Sequence, residues 1–259
     1  MFIDAHCHLA DSRFDGIRDQ VLARARQKQI HHFLQGGVDP DDWRRQEMLA
    51  IPQLLPCFGL HPWFVNGADL ATCHAALQDL EAMLPRAVAL GELGLDRGPR
   101  MDSARFEQQK EMFGRQLQIA QRYNKPLVLH VVRAHDQTLH MLREHGQAWR
   151  GLVHGFTGAY EVARGYLDLG LAISVGGAVG RSGYKKLKNA LGRIPRDQLL
   201  VESDAPDMAP DTYARSLNEP ESVWTVAQII GQITDRTAEE ILAQSRDNLA
   251  RILSLELNP

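Results

Sequence analysis

Short apolar runs, rich in leucine or β-branched residues and bounded by glycine or proline, recur from one end of the chain to the other. In order they are FIDAHCH, HHFLQGGV, LLPCFGLHP, AVALGELGLD, PLVLHVV, GLVHGF, LAISVGG and QLLVESDAP, eight in all. Their length and punctuation predict strands. Longer polar stretches with helical spacing separate them: from Ala104 to Tyr123, for instance, Phe106, Phe113, Leu117 and Ala120 fall on one apolar stripe. Eight strand–helix units in 259 residues predict an α/β protein, a (β/α)8 TIM barrel forming a single domain over 1–259. A doubly wound sheet, which usually has fewer strands, is the second choice. Beyond the eighth run, Glu221 to Leu255 reads as two helices. Thr237 is the expected N-cap of the second, with Glu239 and Glu240 in a first turn that favours negative charge. No Pro-, Gly- or Ser-rich linker and no residue-level repeat interrupts this alternation.

Composition narrows the partners. A hydrophobic content of 44% and a charged content of 24% belong to an ordinary globular chain. The formal net charge of −3 opposes any general attraction to nucleic acid, so a polyanion would have to be gripped locally. Cys7, Cys57 and Cys73 are odd in number and lack CxxC spacing, which fits a reducing compartment, and a cytoplasmic location is expected. No basic leader precedes Asp4, and no apolar stretch approaches the roughly 20 residues of a membrane span, so neither export nor membrane insertion is expected.

In such a barrel the chemistry sits at the C-terminal ends of the strands. Six of the eight runs carry ligand-type residues there: His6 and His8, His61, Glu92, His130, His154, and Glu202 with Asp204. Strand alternation turns His6 and His8 to one face, with Asp4 one step deeper, and Cys7 to the other. Alone, an HxH pair is no more than two histidines beside a strand. Glu92 is harder to explain, because a carboxylate near a barrel axis is costly unless it is paired or bound to a metal. A salt bridge to Arg97 is the ordinary alternative. Asp96 follows Gly94, which is expected to end the strand, and so ranks as a minor candidate. His130 and His154 each close an apolar run; either alone reads as a structural histidine. Asp204 is placed as a ligand, with Glu202 below it orienting an imidazole.

Four histidines and two carboxylates exceed the three protein ligands typical of one catalytic zinc. Two divalent cations fit better: His6, His8 and Asp204 on one, His130 and His154 on the other, with Glu92 bridging. Such a pair implies hydrolysis by a metal-activated hydroxide, with Asp204 also able to accept the water's proton. Zinc, manganese, magnesium, nickel and iron all suit this donor set. Dinucleotide, Walker A, CxxC and G-x-S-x-G patterns are absent. The nearest miss, AISVG around Ser174, reads as barrel strand.

Taken in order, these residues resemble the TatD-type metal-dependent hydrolases among the amidohydrolase-like barrels. FIDAHCHL resembles the family's opening HxH motif, GLHP its third-strand motif and GELGLD its bridging-glutamate motif, with leucine in place of the usual isoleucine. PLVLH, LVHGF and VESDAP resemble its later histidine and closing aspartate motifs. The stretch F-x-x-Q-x-x-x-F-x-x-QL from Phe106 to Leu117 and NEP at Asn218 to Pro220 are similar too. Arg133 and His135 match a family arginine pattern only loosely. The resemblance implies two cations held by His6, His8, Glu92, His130, His154 and Asp204. It also implies phosphodiester hydrolysis, since characterised relatives are deoxyribonucleases, some trimming single strands from the 3′ end.

A nuclease must hold a phosphate backbone. The loop after run seven, GRSGYKKLKNALGR, offers Arg181, Lys185, Lys186, Lys188 and Arg193 where this fold often binds phosphate, although a basic run on a helix is as readily a solvated face. Tyr184 and Trp63 are aromatic candidates for base stacking. DNA is therefore the expected substrate, without an obligate protein partner. An ester or amide hydrolase of small molecules is the alternative, and a metal-loaded scaffold without turnover is the reading from a different class.

Overall fold

The structure, a computed structural model, describes residues 1–99, 102–146 and 148–256. Its eight strands are β1 (Phe2–Cys7), β2 (Ile30–Gln35), β3 (Leu54–Phe58), β4 (Ala89–Asp96), β5 (Leu127–Val132), β6 (Gly151–Val153), β7 (Ala172–Val175) and β8 (Leu199–Val201). They follow the eight predicted runs and pair in parallel with neighbours in sequence order. The ring is joined by two backbone hydrogen bonds: Asp204 N–H donates to His6 O at 3.0 Å, and His8 N–H to Ala205 O at 2.7 Å.

Between the strands lie α1 (Arg18–Gln27), α2 (Pro40–Met48), α3 (Pro62–Gly67), α4 (Leu70–Met83), α5 (Ser103–Arg122), α6 (His135–His145), α7 (Tyr160–Leu167) and α8 (Lys185–Leu191). The helices α9 (Val223–Thr234) and α10 (Ala238–Leu253) follow. The predicted stripe on α5 is only part of its buried face, where Gln109 and Gln116 join Phe113, Leu117 and Ala120. Thr237 caps α10 in a capping box with Glu240, so two orphan amide donors are satisfied reciprocally.

One buried apolar cluster takes residues from every strand: Ile3 and Ala5, Leu34, Cys57, Ala89, Val128, Leu152, Ala172 and Leu200. Residues from all eight strands can touch as one set only inside the ring, so this layer fills the barrel's interior. Leu249, Ile252 and Leu253 of α10 join it. Cys7 belongs instead to the larger cluster between strands and helices, the side opposite its histidine neighbours. All three cysteines are free and buried. Among the described residues, no helix is long and apolar enough to cross a membrane.

Two expectations change here. The fourth strand does not stop at Gly94 but runs to Asp96. Glu92 therefore lies within the strand rather than at its end, at a bulge: Gly91 pairs with Val128 and Leu93 with Leu129, leaving Glu92 as the extra residue. A bulge re-aims the side chain it carries. Gly94 explains how the strand continues past the bulge to Asp96. At Gly94 φ is +144° and a Cβ would lie 2.0 Å from the His130 carbonyl oxygen, so only glycine fits there.

Candidate metal centre

The bulge delivers Glu92 into a ring of imidazoles. Its Oε1 lies 3.1 Å from His8 Nε2 and 3.3 Å from His6 Nε2, while its Oε2 lies 2.8 Å from His154 Nε2, 3.5 Å from His130 Nδ1 and 3.7 Å from His61 Nε2. Asp204 closes the first group, 3.6 Å from His8 and 3.8 Å from His6. Three overlapping trios have ligand atoms within 4.8 Å of one another: His6–His8–Asp204, His6–Glu92–His154 and His61–Glu92–His130. The Arg97 alternative for Glu92 fails, because the Arg97 guanidinium lies over the Phe106 ring instead.

The donor set suits cations. Among the described residues, His6 Nδ1 and Nε2, Glu92 Oε1 and His154 Nδ1 are buried without a hydrogen-bond partner, although His6 Nε2 and Glu92 Oε1 approach closely. Buried groups left so cost free energy unless something else satisfies them. A cation between the imidazoles and the carboxylate does so, and histidine with carboxylate is the chemistry zinc, manganese and iron accept. Space has been kept for it. A Cβ on Gly36, just beyond β2, would meet Glu92 Oε1 at 2.5 Å, His6 Cε1 at 2.6 Å and His8 Cε1 at 2.8 Å.

The electrostatics follow from burial and mutual contact. Burial opposes the charge on Glu92, but His154, His6 and His8 outweigh it and hold the carboxyl well below its usual range. Burial likewise opposes charge on His154, yet Glu92 against it lifts the imidazole to about 9. His6, desolvated and beside His154, falls to about 4. In Asp204 the His8 hydrogen bond and neighbouring imidazoles overcome burial and keep the carboxylate ionised. Its φ is +55°, an uncommon conformation for a non-glycine residue and one that clusters at functional sites.

His61 belongs to one trio but is not set up as a ligand. As N-cap of α3, its Nδ1 accepts the Trp63 N–H at 3.0 Å. Burial, with His130 beside it, holds it well below the usual histidine range and hence neutral. Its proton therefore sits on Nε2, facing Glu92.

The orienting carboxylates are not where the sequence put them. Glu202 Oε1 is 4.0 Å from His154 Nδ1, too far for a hydrogen bond; it accepts instead from Gly155 N–H, while Oε2 accepts from Ser174 Oγ, each at 2.5 Å. Ser174 is thus more than strand. Asp96, ranked as minor, lies 3.4 Å from His130 Nε2 and takes the Trp63 indole N–H at 2.7 Å. That is the carboxylate–histidine arrangement expected behind a metal ligand. Asp4, expected one step below His6, instead alternates with Ile3 and Ala5 of the interior layer; β1 is irregular between Asp4 and Cys7, and the carboxylate is committed to Ser203, accepting from its N–H at 2.9 Å and its Oγ at 2.5 Å.

Buried side-chain amides, to which the sequence pattern assigns no role, hold the loops that carry these residues. Gln35 accepts from Leu9 N–H; Gln46 donates to the Gly36 and Cys57 carbonyls. Gln109 clamps the backbone of Asp96 and Gln116 that of Leu60, each using both its oxygen and its nitrogen. Asn218 donates to the Ser203 and Asp207 carbonyls, while Glu219 takes a bidentate pair from Arg24. The FxxQxxxFxxQL and NEP stretches are, physically, loop clamps.

Of the basic residues, Arg181 is engaged by Ala209 O and Asp211, and Arg193 by Glu161 and the Tyr160 ring. Lys185 and Lys186 open α8 on the surface and form no ion pair with a described residue. Tyr184 packs against the outer core, whereas Trp63 is exposed.

Residues 3–254 match the sequence profile described as TatD related DNase. The chain is similar to the uncharacterized metal-dependent hydrolase YjjV of Escherichia coli K12, with 32% identity over 242 residues, 93% of each chain. It is also similar to human deoxyribonuclease TATDN3, with 29% identity over 263 residues, 96% of this chain and 93% of the relative. The crystal structure of YjjV superposes with a TM-score of 0.88 at 30% identity, covering 98% of both chains. With the profile matching nearly its full length, the chain belongs to the TatD-related DNase family of metal-dependent hydrolases.

Proposed function

We propose that this protein is a phosphodiesterase acting on DNA with two divalent cations, His6, His8 and Asp204 holding one, His130 and His154 the other, and Glu92 shared between them. The observation that carries the reading is the division of Glu92: Oε1 faces His6 and His8, and Oε2 faces His154 and His130. When bound, the cations supply positive charge against the phosphoryl group and make hydroxide available near neutral pH.

The chain's own groups do the rest. Asp204, ionised and 15% exposed at the mouth, is placed to accept the proton of the attacking water. Asp96 keeps His130 turned toward Glu92, and Glu202 with Ser174 fixes the backbone after His154. His61, neutral with its proton on Nε2, presents a hydrogen-bond donor beside Glu92. Lys185 and Lys186 form the first turn of α8, which follows β7 and so starts on the same end of the barrel as the site, and they offer sequence-independent charge to a phosphate backbone. The similar human protein TATDN3 is likewise named a deoxyribonuclease.

The test is a 5′-labelled single-stranded oligonucleotide incubated with purified protein and titrated manganese or magnesium. A descending ladder of products is expected, marking 3′-to-5′ removal, together with its loss in Glu92→Ala. A fully metallated wild type inert on every nucleic acid overturns the proposal.

A further inference from the structure

Trp63 is the anomaly at the mouth of the site. The residue is 66% exposed, whereas Trp43 and Trp149 are buried and Trp224 is half-buried with Lys28 and Phe2 against its ring. An exposed tryptophan is normally free to turn; this one is fixed. Its indole N–H donates to Asp96 Oδ2 at 2.7 Å, its backbone N–H to His61 Nδ1 at 3.0 Å, and its ring meets His61 edge-on with centroids 4.9 Å apart. The His130 ring is 6.2 Å away, so the indole stands immediately beside the proposed ligands. Burying the ring would remove a large apolar surface from water, and no described residue covers it.

Resting on the nuclease reading above, we propose that Trp63 is a stacking platform for a nucleobase next to the scissile phosphate, and that it selects unpaired, base-bearing strands. Every base has a π-face, so a fixed indole accepts any of the four without reading sequence. In a duplex that face is already stacked on its neighbours, so the platform favours single strands and frayed ends. The Asp96 carboxylate that fixes the indole also faces His130, which ties base position to the ligand set.

Two measurements test it, one without metal. Titrating an oligothymidylate into metal-free protein should quench tryptophan fluorescence in wild type. Trp63→Leu should lose the quenching and bind about tenfold more weakly, while Trp63→Phe keeps most of the affinity. With metal, wild type should prefer a base-bearing single strand over the same strand carrying abasic residues at its 3′ end, through KM rather than kcat. Trp63→Leu should lose that preference and Trp63→Phe retain it. A Trp63→Leu protein that keeps both the affinity and the preference overturns the stacking alone. A metallated wild type that neither binds nor cleaves any nucleic acid overturns the nuclease reading and the stacking with it.

Discussion

The backbone N–H of Asp204 donates to the carbonyl of His6 at 3.0 Å, joining the two ends of the barrel at the residues proposed to share a cation. Their side chains face one another as well, at 3.8 Å. Closure of the ring and assembly of the site are therefore one event. A ligand that binds only the folded state stabilises it by RT ln(1 + [L]/Kd), about 2.7 kcal/mol at a hundredfold excess over Kd. For a domain of this size each kcal/mol is worth about 2–4 °C. Saturating manganese or zinc should thus raise Tm by roughly 5–10 °C over chelator-treated protein, with slower hydrogen exchange at the Asp204 amide. An unchanged Tm at saturating metal would refute the coupling.

Gly36 should not tolerate alanine. The added Cβ meets Glu92 Oε1, His6 Cε1 and His8 Cε1, all closer than 3.0 Å, so the ligand side chains themselves must shift. Overpacking typically costs about 1–3 kcal/mol, and disturbing the groups around a metal costs about 10–100-fold in affinity. Gly36→Ala should accordingly fold with a lower Tm and bind metal at least about tenfold more weakly by calorimetry. Wild-type metal affinity in a folded Gly36→Ala would show that the cleared space has no such role.

A cation must compete with protons. Burial works against a charged His154, but the contact with Glu92 lifts its pKa to about 9, so in metal-free protein the imidazole is protonated at neutral pH. Because the folded-state value is raised, this protonation stabilises the metal-free fold at low pH, and the contribution fades as pH rises toward 9. Metal binding runs the other way: it needs the free lone pairs of His154 and of His8, whose charge burial opposes but which Glu92 and Asp204 hold well above the usual histidine range, so apparent affinity should keep climbing as pH rises through 9. Calorimetry at pH 7 in buffers of different ionisation heat should reveal proton release; heats independent of the buffer would contradict it.

What the sequence makes legible here is interruption. Polar side chains at the ends of apolar runs stand out because burial penalises them, which is how His6, His8, Glu92, His130, His154 and Asp204 emerge together. Geometry that depends on register is not legible in that way. Gly94 reads as a strand terminator by propensity, but in the structure it is the residue whose missing Cβ lets β4 pass the His130 carbonyl and continue to Asp96. Asp96 consequently orients His130, a role the sequence reading had no reason to give it, while Glu202 turns to Ser174 and Gly155. Buried glutamines such as Gln109 and Gln116 fall in a polar-looking helix, and their partners, Asp96 and Leu60, are backbone groups distant in sequence. A pattern of side chains carries no signal for a backbone acceptor.

Those clamps should separate from ordinary helix capping in a direct comparison. Gln116 is buried and gives its oxygen to Leu60 N–H at 2.8 Å and its nitrogen to Leu60 O at 3.1 Å, one residue before His61. Gln116→Leu keeps the apolar stem but leaves two buried backbone groups unpaired, each costing about 1–3 kcal/mol. Urea denaturation should show a loss of roughly 2–6 kcal/mol, and kcat/KM should fall as the loop carrying His61 and Trp63 loosens. Thr237→Ala removes one half of the α10 capping box and should cost about 1 kcal/mol, leaving kcat/KM at the wild-type value. If both variants lose stability but neither loses activity, the glutamine holds the fold without holding the site; if Gln116→Leu is as stable as wild type, the clamp is not stabilising at all.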